Sequence, residues 1–149
     1  MIHPGQAHVV TPDQGQVAEL GVARMRVLAA VAYIADRSFS LVEFTGGEGA
    51  WTVPHLHRGM EESFYVLDGE FTFTVGEEKI PAGAGAYILV PRGTPHVLEA
   101  GAAGGRLLTL MVPGGLDEMF LELATLGPDS LRDPATRAAI SGRYDSIPV

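Results

Sequence analysis

Between residues 40 and 112 the chain alternates short apolar runs with glycine, proline and acidic punctuation. "SLVEF" gives way to "TGGEG", "AWTVPHLH" to "RGM", "ESFYVL" to "DGE", "FTFTV" to "GEE", "AYILV" to "PRGTP" and "RLLTLMV" to "PGG". Runs of this length, rich in β-branched and aromatic residues and bounded by turn formers, predict strands, and their even spacing predicts an antiparallel sandwich or barrel. Alternation in "FTFTV" puts Phe71, Phe73 and Val75 on one face and Thr72 and Thr74 on the other. "DGE" predicts a tight hairpin between "FYVL" and "FTFTV", because Asp-Gly suits a turn that needs positive φ. The Ala/Gly-rich "EAGAAGGR", residues 99–106, reads as a loop between strands.

The texture changes on either side of this region. "GLDEMFLELATLG" sets Leu116, Met119, Phe120 and Leu123 at helical spacing and stops at Gly127. "DPATRAAISG" offers Asp133 as an N-cap with Pro134 at the first helical position, so two short helices are predicted after the β region. In the N-terminal part, "MRVLAAVAYIA" fits a helix by its alanines and a strand by Val27, Val31 and Ile34; we read it as strand. The expectation is one domain over residues 1–149, with a β core from about residue 25 to 112 and a helical tail from about 115 to 143.

Composition narrows the function classes. With 149 residues, 46% hydrophobic and 19% charged, the chain can close a hydrophobic core and does not resemble a disordered segment. A formal charge of -8, with its ten Lys and Arg scattered, argues against nucleic acid or an anionic membrane as partner. "MIHPGQAHVV" has no basic segment followed by an apolar run, and "VLAAVAYIA" is too short to span a bilayer, so a cytoplasmic protein is expected. Without cysteine, any metal must be held by nitrogen and oxygen from His, Asp and Glu.

Three of the five histidines then become informative. On an extended segment His55 and His57 point the same way, about 6.6 Å apart at about 3.3 Å per residue, so two imidazoles can converge on one ion. After the turn at "RGM", Glu62 shares a face with Phe64 and Val66, whereas Glu61 belongs with Ser63 and Tyr65. A carboxylate beside an apolar row is costly unless paired, and a divalent cation is the partner that makes it tolerable. His96 follows "PRGTP", whose rigid turn sets it at the start of the next strand as a third imidazole. Three neutral imidazoles and one carboxylate suit Fe(II), Mn(II), Co(II), Ni(II) or Zn(II), with positions left open for water or substrate. The H-x-H spacing alone fits ordinary hydrogen-bonded histidines equally well, the reading given to His3 and His8.

At these residues the sequence resembles the cupin superfamily. Gly49, His55, His57, Glu62 and Gly69 follow the first cupin motif, G-x5-H-x-H-x3,4-E-x6-G, with every interval in place. Gly85, Pro91, Gly93 and His96 follow the second, G-x5-P-x-G-x2-H-x3-N, whose final Asn is replaced by Ala100. That asparagine is not a ligand in the family, so the departure weakens the match without touching the site. The two motifs cover about a third of the chain. The resemblance implies an all-β, double-stranded β-helix (jelly-roll) barrel with a metal near its centre and assembly as a homodimer, in the manner of small quercetin-dioxygenase-like cupins.

Parity also marks the surroundings of such a site. Trp51 and Val53 precede His55 on its face, Phe64 and Val66 follow Glu62, Leu98 follows His96, and Phe73 lies on a neighbouring strand. The same residues serve equally as plain barrel core. As a pocket, they suit a hydrophobic or aromatic small molecule that chelates through hydroxyl or carbonyl oxygens. The expected function is a metal-dependent dioxygenase acting on a flavonoid- or polyketide-like substrate, with one divalent metal, iron favoured, on His55, His57, Glu62 and His96. Glu62 is the candidate catalytic base. The alternatives are a non-redox metal-dependent cyclase or isomerase, and a binding barrel without catalysis.

Overall fold

Two long strands organise the molecule: β5 (Glu61–Val75) and β8 (His96–Val112) run antiparallel along nearly their whole length. The computed structural model describes residues 1–50 and 52–149. Glu61–Val66 of β5 pairs with the far half of β8, Leu107–Val112, and Phe71–Val75 pairs with its near half, His96–Ala100. Between the halves both strands bend, so the pair belongs to two layers of one continuous sheet.

One layer continues from the far half of β8 through β3 (Ser40–Gly46) and β2 (Ala23–Ala29) to β1 (Val17–Glu19). It is completed by β7 (Tyr87–Val90) on the other side of β5. The second layer sets β6 (Glu78–Gly83) against β5, and β4 (His55–Leu56) with β9 (Ile147–Pro148) beside the near half of β8. The strand punctuation predicts an antiparallel sandwich or barrel, and the architecture is the all-β jelly roll that the cupin resemblance implies.

The bend corrects two sequence expectations. "DGE" is not a hairpin: the strand passes through it, with register irregularities on both sides of Asp68–Gly69. Glu62, Phe64 and Val66 are buried at even positions and Phe71 and Phe73 at odd ones, so the irregularity flips the parity and keeps both apolar sets inside. "EAGAAGGR" is likewise not a free loop but the bent middle of β8, with the same flip from His96, Leu98 and Ala100 to Leu107, Thr109 and Met111. Gly69, at φ +74, sits hard against the partner strand; a Cβ there would lie 2.3 Å from the Gly104 carbonyl oxygen. The true hairpin is one step later, where Gly76 (φ 59) and Glu77 join Val75 to Glu78.

The core lies between the layers. Phe44, Phe64, Phe71 and Phe73 are at most 3% exposed and form a connected aromatic series, with ring centroids 5.0 Å apart for Phe64–Phe73 and 6.0 Å for Phe44–Phe71. "MRVLAAVAYIA" is strand only to Ala29, after which the chain turns while Ala30 and Val31 remain buried. The sheet also starts earlier than about residue 25, at Val17.

Three helices, rather than the two expected, follow β8: α1 (Leu116–Leu123), the short α2 (Pro128–Arg132) and α3 (Pro134–Ser141). The extra one is a single turn opened by Pro128 and has no buried residue, which is why no apolar period announces it. Helix α1 buries Leu116, Met119 and Leu123, and the Asp133 carboxylate accepts from the Thr136 amide to cap α3. From α3 the chain returns to lay β9 along β4. Among the described residues, no helix is long and apolar enough to cross a membrane.

Candidate metal centre

His55, His57, Glu62 and His96 converge, with one potential ligand atom from each lying within 4.8 Å of every other. Register explains how. His55 opens β4 and is the partner of His96, which opens β8; His57 follows β4 by one residue; Glu62 is the second residue of β5, opposite Val90 and Met111. Glu62, His57 and His96 are all at most 5% exposed. Glu61, on the opposite parity, forms an outer ion pair with Arg92 at 2.8 Å, so the choice between the adjacent glutamates is the one the alternation predicts.

Hydrogen bonds fix how the imidazoles face. His55 Nδ1 lies 2.6 Å from the Val53 carbonyl, His57 Nδ1 2.7 Å from the Asp145 carbonyl and His96 Nδ1 2.9 Å from the Thr94 carbonyl. A carbonyl only accepts, so each Nδ1 carries a proton and donates it, leaving Nε2 to face inward. Yet His57 Nε2 and His96 Nε2 stand 2.9 and 3.0 Å from the same Glu62 Oε2. Two neutral imidazoles in this tautomer would set lone pairs against a carboxylate oxygen. The arrangement is satisfied by a second proton on each of the two rings, or by a cation among the four donors.

The electrostatics point the same way. Burial pushes the Glu62 carboxyl up, but hydrogen bonds and charge from His57 and His96 outweigh it and hold the group well below the usual carboxylate range. Burial pulls His57 down, and the Glu62 carboxylate outweighs that, so His57 keeps its proton to higher pH than a free imidazole. Burial brings His55 down to about 4, leaving it neutral at physiological pH. A buried anion wrapped by imidazoles is an environment that favours positive charge. The nitrogen and oxygen donor set, with one net negative charge, therefore fits a divalent transition ion.

The predicted surroundings are mixed in location. Phe64, Val66, Phe73 and Leu98 are buried in the core, and the Phe64 ring lies 6.5 Å from that of His96. Val53 is half-buried and meets the site through its carbonyl. Trp51 lies outside the described residues. His3 and His8 are exposed and remote from the cluster; His8 Nε2 bonds the Leu28 carbonyl at 2.7 Å. Sequence reasoning missed Asp145, which meets His57 from a distant part of the chain and sits in no recognisable motif.

Comparison with known proteins agrees with this architecture. The family model of the cupin domain matches residues 40–112. Quercetin 2,3-dioxygenase of Bacillus subtilis (strain 168) is 28% identical over 88 residues, covering 59% of this chain and 26% of that enzyme. The chain thus spans only about a quarter of that dioxygenase's length. A solved RmlC-like cupin from Shewanella frigidimarina superposes with a TM-score of 0.63 at 23% identity, over 72% of this chain and 92% of that one. Pac13 of Streptomyces, described as a nucleoside dehydratase, superposes with a TM-score of 0.61 at 18% identity, over 76% of this chain and 88% of its own. Both structural likenesses speak for the fold alone, and the relatives include oxidative and non-oxidative enzymes. With the motif residues, the jelly roll and the matched domain in agreement, the chain is a small cupin.

Proposed function

We propose that His55, His57, Glu62 and His96 hold one divalent transition metal and that the protein is a single-domain cupin enzyme of dioxygenase type. Its substrate is a hydrophobic or aromatic small molecule that chelates through oxygen. The observation that carries the reading is the tautomer pattern: the Nδ1 atoms of His55, His57 and His96 donate to carbonyls, and the Nε2 atoms of His57 and His96 both face Glu62 Oε2. Iron is the favoured ion among Fe, Mn, Co, Ni and Zn, because it suits oxygen chemistry in a nitrogen-rich, thiolate-free site. The sequence likeness to quercetin 2,3-dioxygenase supports the oxidative class.

When bound, such an ion supplies a Lewis acid for chelating oxygens and an electron path to O2. The chain's own residues supply the rest. Val53, Phe64, Val66, Phe73 and Leu98 would be the apolar walls that keep water from the reacting groups. Glu62 would be the base that takes the proton of a substrate hydroxyl, since its Oε2 lies within the cluster, 2.9 and 3.0 Å from His57 and His96 Nε2.

The test is oxygen uptake by iron-loaded protein offered flavonols, other chelating phenols and diketones. Uptake that disappears in Glu62→Ala supports the reading. Turnover of the same compounds without air and with zinc would instead assign a non-redox cyclase or isomerase, and metal binding without any turnover a binding barrel.

We also propose a homodimer. Tyr65, Tyr87, Leu89 and Val112 are exposed on one face of neighbouring strands, a self-complementary apolar surface for a second copy. Light scattering checks it, and a monomer at every concentration overturns it.

A further inference from the structure

We propose that Asp145 is a positioning residue for the metal centre, and that residues 142–149 act as a clip that completes it. The inference rests on the reading of the four donors as metal ligands. His55 and His96 take their orienting carbonyls from two residues earlier in their own segments, Val53 and Thr94. His57 alone depends on a distant partner, Asp145, 88 residues away in sequence. Two imidazoles are therefore set locally, while the third is set only when the end of the fold docks.

Asp145 holds this loop with both its main chain and its side chain. Its carbonyl accepts from His57 Nδ1 at 2.7 Å, Oδ1 accepts from the Arg58 amide at 2.9 Å, and Oδ2 accepts from the Gly59 amide at 2.8 Å. Those three donors are consecutive residues, so the turn after His57 is fixed at each one. Asp145 does this from the left-handed region, at φ 59, a conformation that Asp and Asn tolerate better than most side chains.

The clip is itself anchored on both sides of Asp145. Arg143 and the Tyr144 hydroxyl both bond the Glu122 carboxylate on α1. The Ser146 amide donates to the Ser141 carbonyl at 3.1 Å, and β9 pairs Ile147 with Leu56 and Pro148 with His55. The Val149 amide closes on the Pro54 carbonyl at 3.1 Å. Strand β4 has only two residues and meets β8 at the single pair His55–His96, so β9 supplies the second edge that holds it extended.

The consequence is a division of labour. A group that orients a ligating imidazole changes metal affinity through geometry, typically by about 10–100-fold. Asp145→Gly keeps the left-handed backbone and the carbonyl but removes both carboxylate bonds. Asp145→Asn keeps one acceptor for one of the two amides.

Each protein is titrated with Co(II) under chelator competition, and its visible Co(II) spectrum is recorded, with His57→Ala for comparison. The expected result is Co(II) affinity weaker by about 10–100-fold in Asp145→Gly, with an altered spectrum at saturation and an intermediate affinity in Asp145→Asn. A purely structural role would lower the melting temperature yet leave the spectrum as in the parent. Affinity and spectrum unchanged in Asp145→Gly overturn the inference while leaving the metal reading intact. If that variant does not fold, Asp145→Asn with parental affinity and spectrum overturns it equally. A parent that takes up no Co(II) overturns the metal reading and this inference with it.

Discussion

His55 and His96 are partners across the β4–β8 ladder, with their ring centroids 4.3 Å apart. A single pair of backbone residues thus joins the two motifs, one around the H-x-H and one around the P-x-G turn, into one site. Because the side chains share a face of that ladder, slipping the register by one residue would turn His96 away and leave His55 without a partner. The site is a property of strand register before it is a property of metal affinity.

Metal binding should strengthen with pH over the range in which His57 titrates. In the metal-free protein the Glu62 carboxylate raises His57 above the usual histidine value, so an incoming ion must displace that proton. His55, brought down to about 4, needs no deprotonation near neutrality. Apparent affinity should therefore rise about tenfold per pH unit from about pH 5 towards the raised His57 value and then level off. Chelator competition at several pH values measures this; an affinity independent of pH over that range would contradict the ligand role of His57.

The bend in the β5–β8 pair should not tolerate a side chain at Gly69. Alanine there would meet the Gly104 carbonyl oxygen at 2.3 Å and the Gly105 Cα at 2.7 Å, at a φ of +74. Steric overpacking and the left-handed conformation together should cost roughly 2–5 kcal/mol. Gly83→Ala, which has nothing within 4 Å, is the control and should be near neutral. Urea unfolding distinguishes them, and equal midpoints for the two variants would refute the account of the bend.

Asp117 should lower stability as pH rises. It is 1% exposed, one oxygen accepts from the Val31 amide at 3.2 Å, and Oδ1 has no partner among the described residues. Burial pushes the carboxyl above its ordinary value in the folded state, against the pull of that amide. A raised folded value means that the favourable, protonated state is fully present below the unfolded value of about 3.9, and its advantage is lost as pH rises through the folded one. Asp117→Asn keeps the acceptor and removes the charge. Its stability relative to the parent should improve from pH 4 to pH 8, by about 1–3 kcal/mol at the upper end. A difference that stays constant with pH would be the contrary result.

Much of the fold was legible because strand alternation and turn residues are local. The parity that separates Glu62 from Glu61 is visible in "MEESFYVL", and the structure buries the first while pairing the second with Arg92. The failures share a cause. Asp68–Gly69 does need positive φ at its glycine, but the chain spends it on a bulge instead of a reversal, a choice made by the distant strand β8. Glycines in "EAGAAGGR" hide a strand because backbone approach, not side-chain alternation, is what the bend demands. Strand β9 and Asp145 were invisible for the same reason: two strand residues and one carbonyl acquire meaning only through partners at the other end of the sequence.

The most direct measurement is elemental analysis of protein purified without a histidine tag or chelator, repeated on His57→Ala and Glu62→Ala. The account predicts about one equivalent of a divalent transition metal in the parent, with iron the expected ion, and its loss in both variants. A parent that carries no metal and takes none up on reconstitution would contradict it, as would variants that retain the parent's full equivalent.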